Sequence, residues 1–296
     1  MRRTLRRQTK GPEPGVAARL PCPRLLVKWC ESRRYPPFRR DILLPWLARE
    51  PCFLRWCRRI GTMCGRYAIG KSGEDLAKTL GVHFPASVLA WEPTYSLAIT
   101  NSAPVVRERL VDGGELQRAG ALLRWGVPDP APERLGKPMQ NARLSSIHFF
   151  EVWRNLYRSG MRVVAPMSGY FEWIETKPKY KVPIFIHDPA APLLLAAGLW
   201  SPDETYTVIT VQGKDAAGEV HNRMPLFLDP ELTGSWLNPE ALAPKDGAAL
   251  LRDVRAGSDI IASKLYTHPV SRELNNVRTA PREDPRLLEP VDLATA

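Results

Sequence analysis

Cys64 stands in the string Met63-Cys64-Gly65-Arg66-Tyr67-Ala68. Were translation to begin at Met63, and that methionine removed as is usual before a small second residue, Cys64 would carry a free α-amine beside its thiol. A 1,2-aminothiol has chemistry open to no internal residue. Three other segments hold residue types that can do chemistry. Glu172 lies in Gly169-Tyr170-Phe171-Glu172-Trp173, a carboxylate flanked by aromatics on a segment of strand composition. Apolar surroundings of that kind should raise its pKa, because desolvation disfavours the charged form. The same alternation also fits a solvent-facing residue between two core aromatics. His221, in His221-Asn222-Arg223-Met224-Pro225, follows a strand and a loop, where functional side chains gather, although a lone histidine is more often structural. Asn141-Ala142-Arg143 sets two hydrogen-bonding side chains on one side of an extended segment.

The elements that must position these residues begin only after residue 62. Residues 1–62 hold 14 Arg and 2 Lys against 4 acidic residues, a net +12, whereas the whole chain is +11; the rest therefore sums to −1. Four of the five cysteines, Cys22, Cys30, Cys52 and Cys57, also fall there. Arg and Pro interrupt every apolar run, so neither a secretory signal nor a membrane span is present in this stretch. It reads as a basic leader, disordered or translated from a misassigned start; a nucleic-acid-binding arm and a targeting or pro-segment are the alternatives. The cysteine spacings form no paired zinc pattern, so no metal is assigned. Residues 63–290 read as one domain and 291–296 as a tail. One cysteine in that domain rules out an internal disulfide framework and points to a reducing compartment.

Short runs of β-forming residues predict strands over 161–165, 170–174, 183–187, 193–199, 206–211 and 265–269. Apolar spacing predicts helices over 74–80, 146–158 and 246–254. Residues 112–137 read as loop apart from the apolar stretch 119–127. Helices are too few and too irregular for a doubly wound parallel sheet. The expected class is α+β: a single domain on a mixed, largely antiparallel, barrel-like sheet with flanking helices.

Taken in order, Cys64-Gly65-Arg66-Tyr67, Trp125-Gly126, Asn141-Ala142-Arg143, Gly169-Tyr170-Phe171-Glu172-Trp173, Gly198-Leu199-Trp200 and His221-Asn222-Arg223-Met224-Pro225 resemble the SRAP (SOS response-associated peptidase) family of abasic-site processing proteins. The resemblance runs from Cys64 to about residue 290. It implies covalent capture of abasic sites in single-stranded DNA. The open-chain aldehyde of such a site is attacked by the α-amine, whose reference pKa of ~7.7–8.0 leaves a neutral fraction that lysine, at ~10.4, lacks. The thiolate then closes a five-membered thiazolidine. By the same resemblance Glu172 acts as general acid and base, His221 assists proton transfer, and Asn141 and Arg143 hold the abasic nucleotide and its phosphate. Gly65, Arg66 and Arg223 contact the DNA backbone, Met224 and Pro225 wedge against stacked bases at a single-strand to double-strand junction, and Trp125 and Trp173 line the channel or belong to the core. Thr210 matches a position near the site. Lys177, Lys179 and Lys181 could extend a basic face. No cofactor is implied, and the expected state is a cytoplasmic monomer, nucleoid-associated if the source is bacterial. The alternatives are an N-terminal-nucleophile peptidase or amidase, with the leader cut before Cys64, and noncatalytic DNA binding. Ser96, Ile99 and Ser145 depart from the family pattern, which commonly has Asn, Pro and an acidic residue there.

Overall fold

The computed structural model describes residues 65–111 and 114–293; residues 1–62 and Cys64 lie outside the described residues. With strands numbered in chain order, β1 (Arg66–Ile69), β2 (Thr94–Ala98), β9 (Gly169–Lys177), β10 (Tyr180–His187) and β14 (Tyr266–Pro269) form a sheet in the order β14-β10-β9-β1-β2, antiparallel throughout. In a second sheet β3 (Ser102–Leu110), β4 (Leu116–Trp125), β8 (Arg162–Met167), β11 (Leu194–Ser201) and β12 (Thr205–Gln212) run in the order β11-β8-β3-β4-β12, and β12 pairs back with β11. These five strands therefore close into a barrel, which leaves no open edge around the ring. Beyond the ring, β12 takes β7 (Asn141–Arg143) as a parallel neighbour and β13 (Arg223–Pro225) as an antiparallel one. β5 (Val127–Pro128) and β6 (Pro138–Met139) pair between β4 and β7. The parallel pairings are those of β12 with β4 and β7, so the architecture is the expected α+β, largely antiparallel and barrel-like one.

The helices are α1 (Gly73–Leu80), α2 (Ala86–Leu89), α3 (Glu151–Arg158), α4 (Asp215–Val220), α5 (Thr233–Leu237) and α6 (Pro244–Ala262). Helix α1 is bounded as its sequence dictates. Ser72 Oγ accepts from Asp75 N at 3.1 Å, Glu74 and Asp75 sit in the first turn, and Gly81 closes the end at φ 63°. Helix α6 buries Gly247, Leu251, Val254, Ser258 and Ala262, a single stripe at helical spacing. Among the described residues no helix is long and apolar enough to cross a membrane.

Three element readings need correction. The helix expected over 146–158 begins at Glu151, because Phe150 is extended (ψ 123°) and exposed, and 144–146 form a separate 3-10 turn. The apolar stretch 119–127, set apart from the loop expected over 112–137, is mostly β4, and β4 begins earlier, at Leu116 within that loop, pairing with β3 from Leu110↔Leu116 to Ser102↔Arg124. The helix expected over 246–254 extends to Ala262.

A main core fills the barrel and the space between the two sheets, and it contains Tyr67, Trp125, Tyr170, Tyr206 and Met224. A second cluster, of Ala68, Phe171, Phe185, Val270, Leu274 and Leu287, lies on the other face of the first sheet beneath the C-terminal segment. Arg162 is fully buried and donates to the carbonyls of Tyr157 at 2.6 Å and Trp236 at 2.7 Å, and also to Asn238 O. These carbonyls lie at the C-terminal ends of α3 and α5, where helices leave acceptors unpaired and where a cation is favoured.

Candidate active site

Strand alternation places Glu172. Tyr67 faces Tyr170 across the β1–β9 ladder, so Tyr67, Tyr170 and Glu172 share one face while Arg66, Ala68, Phe171 and Trp173 share the other. The alternation is the one expected for Glu172, but its face is interior: the residue is 3% exposed. Carried two residues further, the same register sets Gly65 opposite Glu172. An added Cβ at Gly65 would meet nothing within 4 Å, so there is open space at that point. Cys64, covalently next to Gly65, lies outside the described residues.

His221 caps the C-terminal end of α4 with extended backbone. Its Nδ1 accepts from Arg223 N at 3.2 Å and lies 3.9 Å from Glu172 Oε1. The first contact assigns the neutral ring a proton on Nε2. The second is longer than a hydrogen bond. Strand β7 brings Asn141 and Arg143 to the same region: its parallel register with β12 pairs Asn141 with Val208 and Arg143 with Thr210, leaving Asn141 half-buried and Arg143 exposed. Thr210 is buried between them. Its Oγ1 donates to Ala142 O at 3.4 Å and accepts from Arg223 Nη2, which ties β7, β12 and β13 together. Glu172, His221, Asn141, Arg143, Thr210 and Arg223 are thus gathered from four strands and one helix end.

Other expected site residues lie elsewhere. Arg66 is 4% exposed, and its Nη1 is engaged by Ser96 Oγ at 2.8 Å and Leu274 O at 3.1 Å. Burial holds its pKa below the ordinary arginine value. The guanidinium is therefore committed inside the protein rather than to DNA. Met224 is fully buried and Pro225 is buried, so neither is available as a wedge. Trp125 is 1% exposed, lies edge-on to Tyr67 with centroids 5.0 Å apart, and donates Nε1–H to Gln140 O at 2.9 Å. It is a core residue that anchors the start of β7. Trp173 faces away from Glu172 and donates to Asn275 Oδ1 at 2.7 Å. Lys177, Lys179 and Lys181 are exposed at the β9–β10 turn; the nearest, Lys181, pairs with Glu175, three register positions along the sheet from Glu172, roughly 10 Å at strand rise.

Two features of the site are not apparent from residue pattern alone. Beneath the site the Tyr67 and Tyr206 hydroxyls hydrogen-bond to one another, and burial pushes both phenols above their ordinary pKa, so both stay protonated. Phe149 and Phe150, 73% and 61% exposed, lie on the loop that follows β7, tied to it through Ser146, which donates Oγ–H to Arg143 O and accepts Phe150 N at its own carbonyl. The Phe-Phe doublet in a polar stretch is a visible signal; its assignment to a helix hid it. Of the family departures, Ser96 is the buried acceptor for Arg66, Ile99 packs on the main core and Ser145 is exposed. Among the described residues no cluster of three or more His, Cys, Asp or Glu side chains could hold a metal ion.

Residues 63–277 match the family model described as SOS response associated peptidase (SRAP). Abasic site processing protein YedK of Escherichia coli is 27% identical over 237 residues, covering 77% of this chain and 100% of the relative. Abasic site processing protein YoqW of Bacillus subtilis is 28% identical over 200 residues, 64% of this chain and 87% of the relative. Abasic site processing protein HMCES of Xenopus tropicalis is 25% identical over 262 residues, 73% and 76%. The solved structure of a phage-related protein from Bordetella bronchiseptica matches with a TM-score of 0.54 at 29% identity, over 71% of this chain and 95% of that one. A structure from Bacteroides thetaiotaomicron matches in fold, with a TM-score of 0.58 at 21% identity, over 77% and 100%.

Proposed function

The chain belongs to the SRAP family, and on that premise we propose that it captures abasic sites in single-stranded DNA through Cys64, acting as the N-terminal residue. The observation that carries this reading is the meeting of Glu172 and His221, 3.9 Å apart, on the face that Gly65 shares. The relatives named above are called abasic site processing proteins, which supports the same substrate.

The neutral α-amine adds to the aldehyde carbon of the opened sugar, and loss of one water gives an imine. The thiolate sulfur then bonds to that carbon, the imine π pair moves to nitrogen, and nitrogen takes up a proton. The net change is one water lost and a thiazolidine formed. Glu172 suits the proton transfers of ring opening and dehydration, because it is a buried carboxyl on the face that Gly65 shares. His221 offers Nε2–H as a donor to a departing or arriving oxygen. Strand nicking proceeds from the same imine, so closure by sulfur competes with a lyase outcome. Arg143, with Arg223 held by Thr210, supplies bidentate phosphate contacts. Phe149 and Phe150 replace Met224 and Pro225 as the surface on which neighbouring bases stack at a strand end or junction, since every base presents a π face.

The test is incubation with a single-stranded oligonucleotide bearing one abasic site, followed by heat and denaturant. The reading expects a covalent product from the protein beginning at Cys64 and none from Cys64→Ser. A product formed equally by Cys64→Ser would place the bond elsewhere and overturn it.

A further inference from the structure

The outer face of the first sheet is crossed by the C-terminal segment 271–291, which bonds to each of the five strands. Arg66 on β1 donates to Leu274 O at 3.1 Å and Tyr95 N on β2 donates to Arg282 O at 2.7 Å. Trp173 on β9 donates to Asn275 Oδ1 at 2.7 Å, and Asn275 Nδ2 donates to Lys181 O on β10 at 3.0 Å. On β14, His268 Nε2 bonds Leu288 O at 2.8 Å and Val291 N donates to Pro269 O at 3.0 Å. Leu274 and Leu287 fill the small core beneath this strap.

The strap meets the site's two reactive strands where they carry chemistry. Arg66 follows Gly65 and so lies two residues from Cys64; Trp173 follows Glu172. The Arg66 guanidinium has no carboxylate partner among the described residues. Ser96 Oγ, Leu274 O and the Trp173 ring, 5.9 Å away, surround it instead. A guanidinium that left this cradle would strand Ser96 Oγ and Leu274 O without their donor, and a buried polar group left unpaired is costly, so the cradle fixes its place. Gly65 is joined to Arg66 by one planar peptide, so fixing Arg66 holds the start of β1 opposite Glu172. Trp173 is both a wall of that cradle and the neighbour of Glu172, which makes the strap a shared reference for the two reacting groups.

We infer that Arg66 is a positioning residue, not a phosphate ligand, and that the strap, acting through Leu274 and Asn275, sets the aim of the N-terminal aminothiol against Glu172. The inference rests on the abasic-site reading above. Amine and sulfur must reach one carbon in turn, and displacement by about 1 Å in such a reaction costs on the order of 100-fold in rate.

The test uses the protein as its host makes it, with Arg66→Met and Asn275→Ala. Crosslinking to an abasic-site oligonucleotide is timed across DNA concentrations, and binding to undamaged single-stranded DNA is measured across salt. Positioning predicts a maximal rate lowered by roughly 10- to 100-fold in Arg66→Met and by a smaller factor in Asn275→Ala. The half-saturating DNA concentration and the salt slope stay at wild-type values. A phosphate role predicts a raised half-saturation and a salt slope smaller by about 0.7, which overturns the inference. A maximal rate within twofold of wild type, even with a lowered melting temperature, leaves Arg66 a fold residue and also overturns it. Should Arg66→Met not fold, Asn275→Ala decides by the same criteria. Failure of the wild-type protein to crosslink would refute the underlying reading instead.

Discussion

Arg162→Met tests the account of how the barrel is tied to its helices. The guanidinium is fully buried and its donors are spent on the carbonyls of Tyr157, Trp236 and Asn238, with Glu240 O further off at 3.3 Å. Methionine fills much of the volume but donates nothing. Each buried carbonyl left unpaired costs about 1–3 kcal/mol, and partial relaxation of the α5 end recovers some of this. We expect a loss of about 3–5 kcal/mol, a fifth or more of the ~5–15 kcal/mol that holds an ordinary domain folded. Urea unfolding followed by circular dichroism measures it, as a lower midpoint at unchanged slope. Arg162→Lys, which reaches fewer carbonyls, should fall between. A loss under about 1 kcal/mol for Arg162→Met would mean that water already serves these carbonyls, and the reasoning would be refuted.

Glu172→Gln keeps the shape of the site and removes the proton acceptor; crosslinking should slow by ~100-fold or more with single-strand affinity unchanged, whereas an unaltered rate would remove Glu172 from the chemistry. Arg143→Ala should lower the salt slope of single-stranded DNA binding by about 0.7, and Phe150→Ala should weaken binding by ~1–3 kcal/mol without altering that slope; a slope change in the second and none in the first would reverse the assignments. His187 is packed against Phe185, His268 and Tyr266 with Asp188 beside it, and burial first, then His268, holds its pKa below the ordinary value. The folded state therefore binds fewer protons than the unfolded one as pH falls through about 6.5, so stability drops there. His187→Gln should flatten the fall seen between pH 7.5 and 5.5 in urea midpoints, and an equal fall in both proteins would contradict this.

The strands most legible in the sequence were those with apolar or aromatic alternation. β9, β10, β11 and β12 fall close to where composition puts them. β3 was missed because its buried positions include charge: Arg107 is held by Glu204 at 3.0 Å and Glu108 by Arg118, and Pro104 stands in its first half. A pattern that equates burial with apolarity cannot see a strand whose interior is ion-paired. The same limit hid Arg162 and misplaced Arg66, since an arginine reads as surface until its cradle is visible. For the site, Asn141, Arg143, Glu172 and His221 were legible as residue types, and the β7–β12 and β1–β9 registers are what gather them. Met224 shows the opposite failure: a motif neighbour of the site residue Arg223 lies in the core, because alternation sends adjacent side chains to opposite faces. The Phe149-Phe150 doublet needed the observed helix start at Glu151 to be recognised as exposed.

The central claim is that Cys64 works as an N-terminal aminothiol. Its most direct test is the intact mass of the protein purified from its own host, with and without a single-stranded oligonucleotide carrying one abasic site. The account predicts a chain beginning at Cys64 and, with DNA, a species equal to the sum of the two masses less one water, stable to heat and denaturant. A chain that keeps residues before Cys64 and yet forms the same adduct would contradict it, as would a chain beginning at Cys64 that forms none.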